Sequence, residues 1–221
     1  MPVHLEYARS FLNASMVLDE VSARTCDDGP IYHSSATGLE LTLKALLSLL
    51  GRSEEDIRAF NHGLSALYNA VMLDAQGRAL LEEAERVSRQ NWKAMLRDKR
   101  SQHIAGLLSG TVQSDQATPT NADIGNGLPR FCDAVSWLNE RHRDDGGQFR
   151  YVKTGPDQRL YIINFGLQKR IIPQTVYWVC DHILEWLEAL LSASRIHAFL
   201  AEQAIAQAVK RTLKTPTKSR F

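Results

Sequence analysis

Apolar residues recur at steps of three and four positions through most of this chain, and that period predicts helices. The clearest case runs from Ile31 to Leu50, where leucines cover most of the helical circumference. A helix that is apolar on most sides belongs in the middle of a bundle, so we expect this segment to be the central helix. Its polar positions form a narrow stripe of Thr37, Glu40, Lys44 and Ser48.

The polar stripe contains one pair of opposite charges. Glu40 precedes Lys44 by one helical turn, which predicts an exposed ion pair that contributes roughly 0.2–0.5 kcal/mol. A stripe that binds a ligand should face a groove, whereas a stripe that is merely surface should face bulk water. Gly51 follows the last leucine and predicts the end of the helix.

The same period predicts further helices on both sides of the central one. Ser53 followed by three acids is typical of a helix start. The last tract carries an apolar seam from Val176 to Leu190, which favours packing against another long helix or a second subunit. The predicted helices are Leu5–Ala23, Ser53–Phe60, His62–Asp74, Arg78–Arg97, Leu128–Arg141 and a long C-terminal helix from about Pro173 to Leu213, with a candidate break at 192–194.

Two segments depart from the helical pattern. Residues 109–126 are rich in small and polar side chains, which predicts a flexible surface loop that is either disordered or used for binding. Residues 148–165 place β-forming side chains on both sides of a turn sequence, which predicts a small β-hairpin or a pair of extended strands. We expect a single domain, 1–221, in which 214–221 is a disordered basic tail.

The composition restricts the classes of function. The 26 basic and 25 acidic residues give a net charge of +1, so no overall attraction to nucleic acid or membrane is expected. The amino terminus lacks the pattern of a secretory signal, and no apolar run reaches transmembrane length. The three cysteines are widely spaced and are expected to act as small buried apolar residues. We therefore expect a cytoplasmic protein that does not engage a membrane.

Known signatures of metal and cofactor sites are missing from the sequence. The seven histidines include no H-x-x-x-H spacing, and His182 with Glu185 would supply only two ligands. Phosphate loops and dinucleotide-binding glycine patterns are also absent, because Gly125-Asn126-Gly127 lacks the third glycine. The sequence thus predicts neither a metal site nor a cofactor.

The combination of an E-x-x-x-K helix, Glu40 to Lys44, with the downstream turn at His62 resembles the HEPN-like family of helical domains. An Arg150-Tyr151 element before the last long helix adds to the resemblance, which spans about Leu5 to Leu213. It implies an antiparallel helical bundle, a homodimer, and a role in prokaryotic defence or toxin–antitoxin systems. The seam from Val176 to Leu190 places the expected dimer contact on the C-terminal helix. By the same resemblance, Glu40, Lys44, His62 and Arg150 are the candidate residues for binding RNA, a nucleotide or a protein partner.

HEPN-like members that cleave RNA carry an arginine and a histidine a few residues apart on a late helix. Here Arg97 and His103 have such a spacing, but they lie at the end of a mid-chain helix. A solvated basic helix end explains the same residues. We therefore expect a non-catalytic binding protein, with a metal-independent endoribonuclease that uses Arg97 and His103, or a purely structural helical dimer, as alternatives.

Overall fold

The computed structural model describes residues 2–25, 29–109, 128–142 and 171–214. These residues are mainly helical, as predicted. The hairpin predicted at 148–165, the loop at 109–126 beyond its first residue, and the tail after Lys214 lie outside them. The helices are α1 (Pro2–Thr25), α2 (Gly29–Leu49), α3 (Glu54–Ala59), α4 (Leu64–Leu73), α5 (Ala75–Leu108), α6 (Phe131–His142) and α7 (Ile171–Lys214).

The chain divides into two units, Met1–Leu184 and Glu185–Phe221. The first unit contains α1 to α6 and the amino-terminal part of α7, and it holds the candidate functional site. The described part of the second unit is the remainder of α7. Among the described residues, no helix is both long and apolar enough to cross a membrane.

Helix α2 is the centre of the first unit. It contacts α1, α3, α4 and α6, and its leucines 39, 43, 46 and 47 are almost completely buried. Burial of each such side chain contributes about 1.5–3 kcal/mol relative to exposure. The leucine pattern that predicted a central helix therefore corresponds to an interior packed on several sides.

Helices α1 and α2 approach each other closely at Gly38. A Cβ added there would lie 2.8 Å from both Cγ and Cδ2 of Leu12, whose own side chain is buried. Glycine at this position lets the two helix backbones come together. Two polar contacts extend the packing of α1 to α7, one from Arg9 to Asp181 and one from Gln174 to Asp19.

The link between α3 and α4 is a tight turn with a defined geometry. Ser53 caps α3 by accepting a hydrogen bond from the Asp56 amide at 3.1 Å. After α3, Asn61 adopts a positive φ of 49°, a conformation that asparagine tolerates better than most residues. The Gly63 amide then donates to the Phe60 carbonyl at 2.9 Å, and α4 begins at the next residue. This turn fixes the position of His62.

Two predicted boundaries are wrong. Helix α5 continues past Arg97 to Leu108, although its surface is mostly polar and gives a weak apolar period. Helix α7 runs without interruption through 192–194, so the candidate break does not occur.

The seam residues of α7 from Val176 to Ile183 are buried within the single chain, which makes this stretch part of the protein's own interior.

Cys180 behaves as the sequence predicts for a buried thiol. It is fully buried on α7, and burial raises the pKa of its thiol to about 12. The thiol therefore stays protonated at neutral pH and is a poor nucleophile. Cys132 is partly buried, and Cys26 lies outside the described residues.

Replacement of Gly38 by alanine tests the contact between α1 and α2. The added methyl group has no room beside Leu12, so Gly38→Ala should lower the free energy of unfolding by about 1–3 kcal/mol despite the better helix propensity of alanine. Urea unfolding followed by circular dichroism measures the change. In a Leu12→Ala background the same substitution should cost much less, and an equal cost in both backgrounds would show that the clash is not with Leu12.

Candidate functional site

A buried carboxylate organises the polar interior of the first unit. Glu40 lies on α2 with only 8% of its side chain exposed. A charged group is unexpected at such a buried position, because the helix around it is lined with leucines. Lys44 Nζ donates to Oε1 of Glu40 at 2.7 Å, and its own side chain is 20% exposed. The other oxygen, Oε2, faces two histidines. The predicted ion pair is present, but the expectation that it is exposed is wrong.

His62 approaches the carboxylate from the turn before α4. Its Nδ1 lies 3.0 Å from Oε2 of Glu40, a hydrogen-bonding distance, and 60% of its side chain is exposed. The residue therefore links the buried carboxylate to the surface. Because the turn at Asn61 and Gly63 holds the backbone in place, the freedom that is lost when the ring meets Glu40 is that of the side chain alone.

His142 reaches the same oxygen from the end of α6. Its Nε2 lies 3.5 Å from Oε2 of Glu40, and its side chain is only 2% exposed. That separation exceeds the distance of a well-formed hydrogen bond, and Nε2 has no hydrogen-bond partner among the residues that the structure describes. The rings of His62 and His142 are 6.0 Å apart and nearly perpendicular.

The environment of Glu40 lowers its pKa in spite of its burial. Removal from water, which is the largest effect, would raise the pKa of this carboxyl group. Polar contacts from His142, Lys44 and His62, together with the positive charge of Lys44, outweigh burial and lower the pKa from 4.5 to about 2. Glu40 is therefore a carboxylate at any physiological pH.

A groove opens beside His62. It has a volume of about 480 Å³, which falls within the range of pockets for small ligands. Its two sides are joined by a hydrogen bond from the Ser65 amide to Oδ1 of Asn139 at 3.1 Å. The groove is lined by Ala59, Phe60, Asn61, His62, Gly63, Ser65, Ala66 and Asn139.

The polar stripe of α2 also borders a cavity. Lys44 and Ser48 line a space of about 260 Å³ together with residues of α3. Thr37 is half-buried and donates a hydrogen bond to the His33 carbonyl at 2.9 Å. The stripe therefore lies along the interior and the cavity rather than against bulk water.

The structure brings together three of the residues that the sequence singled out. Glu40, Lys44 and His62 form one connected cluster, whereas Arg150 lies outside the described residues. Arg97 and His103 both lie on α5. Six positions along one helix separate them by about 9 Å along the axis and place them on different faces of α5.

Sequence reasoning missed His142. The predicted helix stopped at Arg141, one residue too early to include it. The signal was nevertheless present, because His142 continues the buried face of α6 that Phe131, Val135 and Leu138 form at helical spacing. A histidine at a core position of an amphipathic helix calls for a polar group nearby, and here its Nε2 faces Oε2 of Glu40 at 3.5 Å.

Glu40, His62 and His142 together offer a compact set of donor atoms. One nitrogen or oxygen atom from each residue lies within 4.8 Å of the other two. Imidazole and carboxylate groups at such distances can share a proton, bind a metal ion or hold a polar ligand.

Comparisons of the chain with protein-family models, with curated proteins and with solved structures found no match.

The lowered pKa of Glu40 predicts a loss of stability in acid. Because the folded pKa is about 2 and the unfolded value is near 4.5, the contribution of Glu40 is complete above about pH 4.5 and disappears as the pH falls toward 2. The difference in unfolding free energy between wild type and Glu40→Gln should therefore shrink by on the order of 3 kcal/mol over that range.

Urea unfolding in EDTA-containing buffer at a series of acidic pH values measures this difference. Glu55→Gln, which removes an exposed acid from α3, controls for the loss of one negative charge. If the wild type and Glu40→Gln keep a constant separation down to the lowest pH, Glu40 is not held by the contacts described.

Proposed function

We propose that this chain is a non-catalytic binding protein of the HEPN-like type that engages a phosphate-bearing ligand, RNA or a nucleotide, in the groove beside His62. The observation that carries the proposal is the position of His62. This residue touches the buried carboxylate of Glu40 on one side and lines the groove on the other. The context expected from the family resemblance, prokaryotic defence or a toxin–antitoxin system, is part of the same proposal.

The chemistry of the groove favours an anion. The groove includes the amino-terminal end of α4, where the helix dipole and backbone N–H groups attract negative charge. Gly63 occupies the N-cap position without a capping side chain. Asn139 already accepts the hydrogen bond of one first-turn amide, that of Ser65. An incoming phosphate would meet the end of a helix whose cap is small and open.

The side chains around this helix end suit a nucleotide. His62 and Asn61 are both exposed, and they offer hydrogen-bond donors and acceptors at the mouth of the groove. Phe60 and two alanines add apolar surface against which a base or ribose can pack. The volume of about 480 Å³ fits one nucleotide unit rather than a large protein surface.

Fluorescence anisotropy with a labelled single-stranded oligoribonucleotide and with a labelled nucleotide tests the proposal in EDTA. His62→Ala should weaken binding by about tenfold or more, since hydrogen bonds to charged groups contribute about 1.5–3 kcal/mol. His103→Ala, which removes a histidine from α5, should bind like the wild type. The RNA affinity should also fall as salt is increased.

Two results would contradict the proposal. Equal affinities for wild type and His62→Ala would separate binding from the groove. Cleavage of the RNA in EDTA that is lost in His103→Ala would establish the endoribonuclease alternative instead. The products can be resolved on a denaturing gel from the same samples.

A further inference from the structure

The cluster of Glu40, His62 and His142 combines donors from three separate parts of the fold. Glu40 lies on α2, His62 in the turn before α4, and His142 at the end of α6. No local spacing joins these residues, which is why the sequence predicts no metal site. Two imidazoles and one carboxylate are nevertheless a common set of protein ligands for catalytic zinc, with further positions open to water or substrate.

Two of the separations in the cluster match those between ligands of one metal ion. Two donors bound tetrahedrally at about 2.0–2.1 Å from zinc lie about 3.3 Å apart. Oε2 of Glu40 is 3.0 Å from Nδ1 of His62 and 3.5 Å from Nε2 of His142. All three donors lie within 4.8 Å of one another, and His62, with 60% of its side chain exposed, has room to adjust its position.

The buried ring nitrogen of His142 also points to a bound ion. Its side chain is 2% exposed, and its Nε2 points at Oε2 of Glu40 from a distance too long for a good hydrogen bond. A buried ring nitrogen without a close partner is costly. A metal ion between Nε2 and the carboxylate would satisfy both groups at their present separation.

The surroundings support a bound cation. Lys44 bonds Oε1 of Glu40 and leaves Oε2 to the histidines, which is the outer hydrogen bond that ligating carboxylates commonly receive. His142 is the last residue of α6, and a helix carboxyl terminus carries negative potential. The exposed side of His62 gives an ion a route from the groove.

We propose that Glu40 Oε2, His62 Nδ1 and His142 Nε2 form a binding site for a divalent transition-metal ion, represented by Zn²⁺. Imidazole ligands select such ions over Mg²⁺ and Ca²⁺, which prefer oxygen. The metal site goes beyond the proposed function, and the two are tested separately. RNA or nucleotide binding is measured in EDTA, whereas metal binding is measured without RNA or nucleotide. Each proposal can therefore fail alone.

Titration of the metal-free, untagged protein with Zn²⁺ against a chromophoric chelator tests the site. The wild type should bind one Zn²⁺ per chain, and Mg²⁺ in excess should not displace it. His62→Ala and Glu40→Gln should each lower the Zn²⁺ affinity by at least about a hundredfold, more than the loss of an outer hydrogen-bond partner costs. His103→Ala removes a histidine outside the cluster and should bind Zn²⁺ normally.

His62→Ala is the decisive variant, because its side chain is 60% exposed and its loss leaves the apolar core intact. Zn²⁺ should raise the midpoint of thermal unfolding of the wild type and of His103→Ala but not that of His62→Ala. Co²⁺ should give visible absorption bands of a low-symmetry nitrogen and oxygen site in the wild type but not in His62→Ala. Absence of one-to-one binding in the wild type, or equal Zn²⁺ affinity in His62→Ala, would overturn the proposal.

Discussion

The burial of one carboxylate among leucines is the constraint on which the polar architecture depends. An isolated charge in an apolar interior is too costly to persist, so Glu40 must be paired. The groups that face it are Lys44 from the same helix, His62 from the turn before α4 and His142 from the end of α6. A single charged group thus contacts side chains from three elements that are apart in sequence.

The leucines around Glu40 make this constraint effective. They exclude water from most of α2 and bring α1, α4 and α6 against it. Close packing at Gly38 places α1 on one side, while the polar stripe remains free to meet the turn and α6. Hydrophobic burial supplies the stability, and the carboxylate with its partners supplies a specific arrangement of the helices.

The cluster of Glu40, His62 and His142 and the groove have one residue in common, His62. His62 connects the interior, where Glu40 and His142 lie, with a groove that ends at the amino terminus of α4. The proposed ligand of the groove is an anion, and the proposed ligand of the cluster is a cation. The turn at Asn61 and Gly63 therefore positions one side chain for both environments.

The sequence predicts the helical bundle and the central role of α2 because leucines at helical spacing leave few other solutions. It predicts the cluster only in part. An acid and a base one turn apart are usually at the surface, and only the approach of the turn and α6 buries Glu40. The role of His142 was not predicted because the predicted helix ended one residue early. The end of α5 was not predicted because a polar helix has little apolar period.

A double-mutant cycle between Glu40 and His142 tests most directly whether the buried carboxylate interacts with the helix that approaches it across the interior. The unfolding free energies of wild type, Glu40→Gln, His142→Ala and the double variant give the coupling between the two side chains. Direct contact across the interior predicts a coupling of about 0.5–3 kcal/mol in metal-free buffer. Additive losses, with no coupling beyond the experimental error, would contradict the account.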